Sequence, residues 1–403
     1  MDQPFKGIRV IDMSSHGACP SCAKILSDWG AEVIKIEAPK GDAARSSGRS
    51  FGVPCEGEYN PHFDMLNTGK KSLALNAKSS EGAEIINRLL KSANVFISNF
   101  RTPSLARMGL DYDSVKEKYP HLVWAHLSGF GENGPDACNA GFDTVAYYAR
   151  TGSMLDFSER NTAPINAPFG VGDMSAGASF AGGIAAALYK QKCTGEGSRV
   201  VISLYAQGVW AHSVVLQGVE HGNKYPKTRK EAKVPLNNSY RCKDGEWVYI
   251  SVLQYERYFP TFCKMIGRED LIDNPKFNTI DAAGENNEEL IDIIDEAFLT
   301  RNRDEWSEKL READIAFDHI NHLTDVFSDA QATSNNLFYE RDYGEGRKSA
   351  IFLPPVVIGS PIEDPKCGAP KLSEDAAEVL GTIGYSEAEI NKLFENGVVV
   401  KPE

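Results

Sequence analysis

The chain has 403 residues, 42% of them hydrophobic and 25% charged, which suits roughly two or three domains of ordinary globular composition. Its net charge of −13 argues against nucleic acid or an anionic membrane as the main partner, so a polyanionic ligand must find a local basic patch. The opening residues 1–7 lack the basic-then-apolar pattern of a signal peptide, and no apolar run approaches the roughly 18 residues of a membrane span. A cytoplasmic location is therefore expected.

Residues 7–12 predict a strand, 23–29 a helix and 31–37 a second strand, which together make a βαβ unit. The pattern recurs with a strand at 72–76, a helix from about 80 to 93, and strands at 95–98 and 122–127. Such alternation predicts an α/β fold with a parallel sheet covered by helices on both faces. The register changes near residue 220. Residues 221–233 are polar and rich in Lys and Arg, and 240–252 read as a hairpin turning at Asp244-Gly245. Helices at 255–266, 287–300 and 303–313 complete a smaller α+β domain over 221–329. From 330 the chain reads as extended through Pro354, Pro355, Pro361, Pro365 and Pro370, then forms short helices at 373–380 and 386–394.

The first βα turn, Asp12 to Cys19, lacks Gly-x-Gly-x-x-Gly, and no Gly-x-x-x-x-Gly-Lys-Ser/Thr surrounds Gly69-Lys70-Lys71-Ser72. Both absences argue against a nicotinamide dehydrogenase or a P-loop NTPase. The eight cysteines are scattered, which predicts free thiols in a reducing compartment, and Cys19-Pro20-Ser21-Cys22 stands alone, so its two thiols are expected to be buried and free, not a redox or zinc centre. The Asn237-Asn238-Ser239 sequon is then a chance match. His319 and His322 have no evident third ligand and read as a surface pair, so no metal is expected. Asn99-Phe100-Arg101 and Arg107-Met108-Gly109 place two arginines and an aromatic just past a strand end, where open α/β sheets bind ligands. A phosphorylated ligand is the economical reading, with Lys70 and Lys71 adding positive charge from another loop.

Asp173 is a lone carboxylate in Gly170-Val171-Gly172-Asp173-Met174-Ser175-Ala176-Gly177, at the entry to a helix of small residues. Backbone amides and the helix dipole are expected to keep it ionised and able to attack an electrophile, which makes it the best candidate nucleophile. The competing reading is an ordinary helix N-cap. Gly170 and Gly172 permit close approach, and their amides are candidates to stabilise an oxyanion.

In series, Asp28-Trp29-Gly30-Ala31-Glu32-Val33, Asn99-Phe100-Arg101, Arg107-Met108-Gly109-Leu110, Ser128-Gly129-Phe130-Gly131, Gly141-Phe142-Asp143, Gly172-Asp173 and Thr194-Gly195-Glu196-Gly197 resemble class III (family III) coenzyme A transferases over nearly the whole chain. The resemblance implies that Asp173 is the nucleophile and that coenzyme A, a co-substrate and not a bound cofactor, is held by Ser15, His16, Gly17, Ala18, Lys71, Asn99, Phe100, Arg107 and Met108. It implies an interlocked homodimer, with a Rossmann-like large domain built from 1–220 and 330–403 and a small domain between. Ala38 and Ala140 stand where some members carry basic residues, so Lys40 or Arg45 is expected to substitute. No glycine-rich lid precedes Asn237, against formyl or oxalyl chemistry. Related 2-methylacyl-CoA racemases use a His where this chain has Phe142, which cannot shuttle a proton, so transfer is favoured over racemisation. The stretches Asp314-Ile315-Ala316-Phe317 and Tyr147-Tyr148-Ala149-Arg150 resemble members acting on 2-hydroxy acids and 2-enoyl products in amino-acid fermentation. This implies acyl-CoA and carboxylic acid substrates and an association with a 2-hydroxyacyl-CoA dehydratase. A non-catalytic acyl-CoA-binding subunit is the alternative from another class.

Overall fold

Parallel neighbours need a crossover between them, and the helices between the strands supply it. The computed structural model describes residues 3–359 and 368–402. Its main sheet has six parallel strands, β1 (Arg9–Met13), β2 (Glu32–Glu37), β3 (Lys71–Ala74), β4 (Val95–Ser98), β5 (Val123–Ser128) and β6 (Arg199–Ser203). They stand in the order β3-β2-β1-β4-β5-β6. Val10, Ile11, Val33, Ile34, Val95, Phe96 and Ile97 are all buried, as strands covered on both faces require. The short β6 escaped the sequence reading. Because the winding reverses between β1 and β4, a crevice opens at their carboxyl ends. Met13 pairs with Ser98 and Ser98 with His126, so the loops after β1, β4 and β5 leave from neighbouring positions.

Two helices frame that crevice. The helix α1 (Ala18–Asp28) is buried from Ala18 to Leu26. It packs on α2 (Val171–Thr194), which starts after Gly170 at φ 86° and ends at Gly195 at φ 77°. Small residues set their separation. A Cβ at Gly177 would fall 2.1 Å from Ser21 Oγ and 2.9 Å from the Ala18 carbonyl oxygen.

On the sheet, the apolar face of the Ser80–Ser92 helix shares one core with the C-terminal helices Ala376–Thr382 and Glu387–Glu395, through Ile85, Leu89, Val379, Leu380, Ile390 and Leu393. The chain end is tied to the β3 edge by Asn76 N–H to the Val398 carbonyl (2.8 Å) and Val400 N–H to the Ala74 carbonyl (2.9 Å). The stretch read as extended holds an antiparallel hairpin, β10 (Phe338–Asp342) and β11 (Lys348–Phe352). Gly344 and Gly346 turn it at positive φ. Pro361, Pro365 and Cys367 lie outside the described residues.

The chain forms two compact units, Met1–Gly152 with Ala167–Gln217 and Ala330–Glu403, and Ser153–Asn166 with Gly218–Asp329. Residues 153–166, read from the sequence as part of the large domain, thus belong to the smaller unit. That unit contains the antiparallel sheet β7 (Asn237–Arg241), β8 (Trp247–Ser251) and β9 (Phe317–His319), with Gly245 at φ 89° in the hairpin turn. Its helices Tyr255–Ile266, Asn287–Phe298 and Arg303–Glu312 enclose an aromatic core in which Phe298 stacks on both Tyr240 and Trp306. Among the described residues no helix is long and apolar enough to cross a membrane.

Candidate active site

Beneath the loop after β1 lies a set of buried charges that survive there because they are paired. Lys35, in the middle of β2, reaches Asp42 (2.7 Å) and donates to the Ser14 carbonyl (3.1 Å). Asp42 in turn accepts from the Ala44 and His16 amides (2.9 and 3.4 Å). Asp12 pairs with Lys70 (2.8 Å) and accepts from the Ser14 hydroxyl. Burial raises the Asp12 carboxyl, but Lys70 and Lys35 outweigh it and hold it below its ordinary value. From the end of β4, Asn99 accepts the Ser15 N–H (3.1 Å) and donates to the Ser15 carbonyl (2.7 Å). So tied, the loop holds His16 in the left-handed region (φ 66°), its ring edge-on to Phe142 at 5.4 Å.

The loop ends at Gly17, and there the site closes. A Cβ on Gly17 would lie 2.3 Å from Asp173 Oδ2, so the carboxylate rests against the bare Cα. Asp173 is half-buried, and among the described residues no donor or cation pairs with its side chain. The donors expected for it go elsewhere. Asp143 accepts the amides of Gly170 (2.6 Å) and Gly172 (3.1 Å), and the Asp173 N–H also points to it. Gly170 occupies the N-cap position, so Asp173 is not the cap; Asp143 fills the helix start from a distant turn, Asp143–Ala149.

Two expectations change with this geometry. Instead of being held ionised, the Asp173 carboxyl is pushed up to about 7, first by burial and then by the negative Asp143 beside it. The Gly170 and Gly172 amides, expected to receive an oxyanion, are already taken by Asp143.

The structure brings Ser15, His16, Gly17 and Ala18 together with Asp173 and Asn99. Phe100 follows Asn99, packs on the main core, and accepts from His126 Nε2 (2.9 Å) through its carbonyl. The other nitrogen of His126 faces Glu132 at 2.6 Å, so one proton is shared between imidazole and carboxylate. Met108 packs on the same core from the Thr102–Met108 helix, and the exposed Arg107 reaches Ser104 (3.0 Å). Lys71 does not join them. Its ammonium pairs with Glu32 (2.9 Å) and Glu378 (2.7 Å), turned toward the amino end of β2. Arg45 is committed to Glu37 by two 2.7 Å contacts, whereas Lys40 stands exposed.

The network of Lys35 and Asp42 and the His126–Glu132 pair were missed as site residues, whereas Asp143, read from the sequence as a residue that orients a neighbour or caps a helix, does take the amides at the start of α2. A charge or imidazole inside an apolar strand, as in Glu-Val-Ile-Lys-Ile-Glu or Val-Trp-Ala-His-Leu-Ser, was the available signal for the two that were missed. Apolar rings stand in water along the segments that enter the site: Phe169, just before Gly170, is 67% exposed, Phe142, edge-on to His16, is 57% exposed, and Phe51 lies 4.9 Å from Phe169. Cys19 and Cys22 are buried free thiols whose burial pushes them well above the ordinary range. His319 bonds to Ser307 (2.8 Å). Among the described residues no group of three or more His, Cys, Asp and Glu gathers to hold a metal.

A doubly wound parallel sheet with a carboxylate seated against a glycine after its first strand defines an α/β protein with a candidate site at the sheet's reversal point. The chain belongs to CoA-transferase family III, whose model matches residues 5–376, and it is a CoA-transferase with coenzyme A as co-substrate. It is 38% identical over 395 residues to (R)-2-hydroxy-4-methylpentanoate CoA-transferase of Clostridioides difficile, covering 98% of this chain and 99% of that protein. To cinnamoyl-CoA:phenyllactate CoA-transferase of Clostridium sporogenes it is 37% identical, covering 99% and 98%. Among solved structures, a CAIB/BAIF family protein from Brucella suis superposes with a TM-score of 0.77 at 26% identity, covering 94% of this chain and 99% of that one.

Proposed function

We propose that this enzyme moves coenzyme A from a 2-enoyl- or 2-hydroxyacyl-CoA to a free 2-hydroxy carboxylic acid through covalent intermediates on Asp173. The observation that carries this reading is a half-buried carboxylate, unpaired among the described residues and seated on Gly17 at the crevice of the sheet. Two relatives that match nearly end to end and are named for 2-hydroxy acid substrates support the substrate class. The exposed Phe142 and Phe169 supply apolar surface for an acyl side chain.

Transfer between two carboxylic acids is nearly thermoneutral provided water is kept from the thioester. Asp173 attacks the thioester carbonyl and the C–S bond breaks, leaving a mixed anhydride and CoA thiolate. The thiolate then attacks the Asp173 carbonyl carbon and releases the first acid, leaving an aspartyl-CoA thioester. The acceptor carboxylate repeats the two steps in reverse. Ser15, His16, Gly17, Ala18, Asn99, Phe100, Arg107 and Met108 are the residues proposed to hold coenzyme A, with the two loops at the β1–β4 reversal forming its cradle. Racemisation is not favoured, because Phe142 offers no proton-transfer group. The protein acts as a homodimer in the cytoplasm, and its 2-hydroxyacyl-CoA product is of the kind a dehydratase consumes.

The deciding experiment uses Asp173→Ala together with mass spectrometry of the wild-type enzyme incubated with acyl-CoA and no acceptor. Transfer should fall by at least about 10³-fold in the variant while CoA binding persists, and the peptide containing residue 173 should carry CoA in the wild type. Retained activity in the variant would overturn the proposal.

A further inference from the structure

Two carboxylates meet at the start of α2, and only one of them is given hydrogen bonds. Asp143 takes the amides of Gly170 and Gly172, whereas Asp173 has neither donor nor cation among the described residues. A helix N-terminus ordinarily stabilises the anion beside it, and here that capacity is spent on the carboxylate that Gly17 does not touch.

We propose that Asp143 is the positioning residue that loads Asp173: by filling the helix start it leaves the second carboxylate beside a like charge, so that acylation, which removes that charge, relieves the repulsion. This rests on the covalent route described above. The groups facing Asp173 are consistent with it. From the Asp143–Ala149 turn comes the Asp143 charge; from α1 come the Gly17 backbone and the Cys19 thiol, which burial and nearby anions keep protonated. Asp143 is itself packed against Tyr147 and Tyr148, which bring no positive charge. Burial raises its carboxyl, and the three amides oppose that rise.

The chemistry follows from the balance of the exchange. Passing CoA from a donor acid to Asp173 forms one thioester and breaks another, consumes the Asp173 carboxylate and releases the donor carboxylate, with no net proton or electron. The equilibrium therefore favours a thioester on the more basic of the two carboxylates. Asp173, raised to about 7 first by burial and then by Asp143, is far more basic than a free 2-hydroxy acid at about 4, each tenfold in basicity counting tenfold toward the enzyme-bound thioester, and Asp143 accounts for the second part of that rise. An ordinary surface Asp would hold CoA on the order of 10²–10³-fold less well.

The test compares wild type with Asp143→Asn, which removes the charge but keeps an acceptor for the helix. In the variant the acid limb of kcat/KM should move down by about one pH unit or more, and the fraction carrying CoA at residue 173 without acceptor should drop about tenfold. Asp143→Glu, restoring the charge, should return both toward wild type. An unchanged acid limb and unchanged adduct in folded Asp143→Asn would overturn the proposal while leaving the Asp173 route intact. Lack of any adduct in the wild type would instead sink the route itself. Should Asp143→Asn fail to fold, Asp143→Ser, which keeps a hydroxyl acceptor without the charge, takes its place: the same fall in the acid limb and in the adduct is expected, and no change in either overturns the proposal.

Discussion

Asp173 is costly to the fold because of the features that suit it to its proposed chemistry. A carboxyl raised from 3.8 to about 7 binds its proton more tightly in the folded than in the unfolded chain. Its share of stability is therefore fully present below about pH 4 and is lost as the pH rises to about 7. The full penalty is on the order of 4 kcal/mol, and solvent reaching a half-buried side chain reduces this to about 2 kcal/mol. Asp173→Asn should accordingly be more stable than wild type by about 2 kcal/mol at pH 8, with the difference fading toward pH 4, as denaturant titrations at both pH values can read. Equal stability at pH 8 would mean that the carboxylate is better solvated than its surroundings imply.

The seam between α1 and α2 works at the scale of the element. Gly17 has a φ of −103°, which any residue adopts, so what it contributes is absence of bulk against Asp173. Gly17→Ala should lose most transfer activity while folding normally, because its methyl displaces the carboxylate and not the backbone. Gly177 and Gly182 lie on one helix in opposite circumstances. A Cβ at 177 meets Ser21 and the Ala18 carbonyl, whereas a Cβ at 182 meets nothing within 4 Å. Gly177→Ala should therefore cost about 1–3 kcal/mol, and Gly182→Ala should stabilise by about 0.5–1 kcal/mol through helix propensity alone. Thermal unfolding of the pair checks the sign, and the same sign in both would contradict the close approach of α1 and α2.

For the whole molecule the notable feature is apolar surface in water. Tyr189, Trp210 and Val214 are 74, 75 and 78% exposed, in a chain whose net charge is −13. Large apolar side chains left this open favour a second copy as their cover, in line with the proposed homodimer. Trp210→Glu should shift the protein toward monomer in light scattering at micromolar concentration, and an unchanged dimer would place the interface elsewhere.

Alternating strand and helix, the hairpin at Asp244-Gly245 and the helix over Tyr255–Ile266 are visible in the sequence because each depends on residues a few positions apart. The position of Asp173 at the start of a small-residue helix is legible for the same reason, as is the aromatic and basic loop after β4. The fate of its hydrogen bonds is not. Asp143 lies about thirty residues before the amides it accepts, Lys71 turns to Glu378 from the far end of the chain, and residues 153–166 join a unit whose remainder begins at 218. Chain pattern specifies which backbone segments form, since periodicity and turn chemistry act locally. Which carboxylate receives a donor, and which is left bare, is decided only when distant segments compete for the same amides.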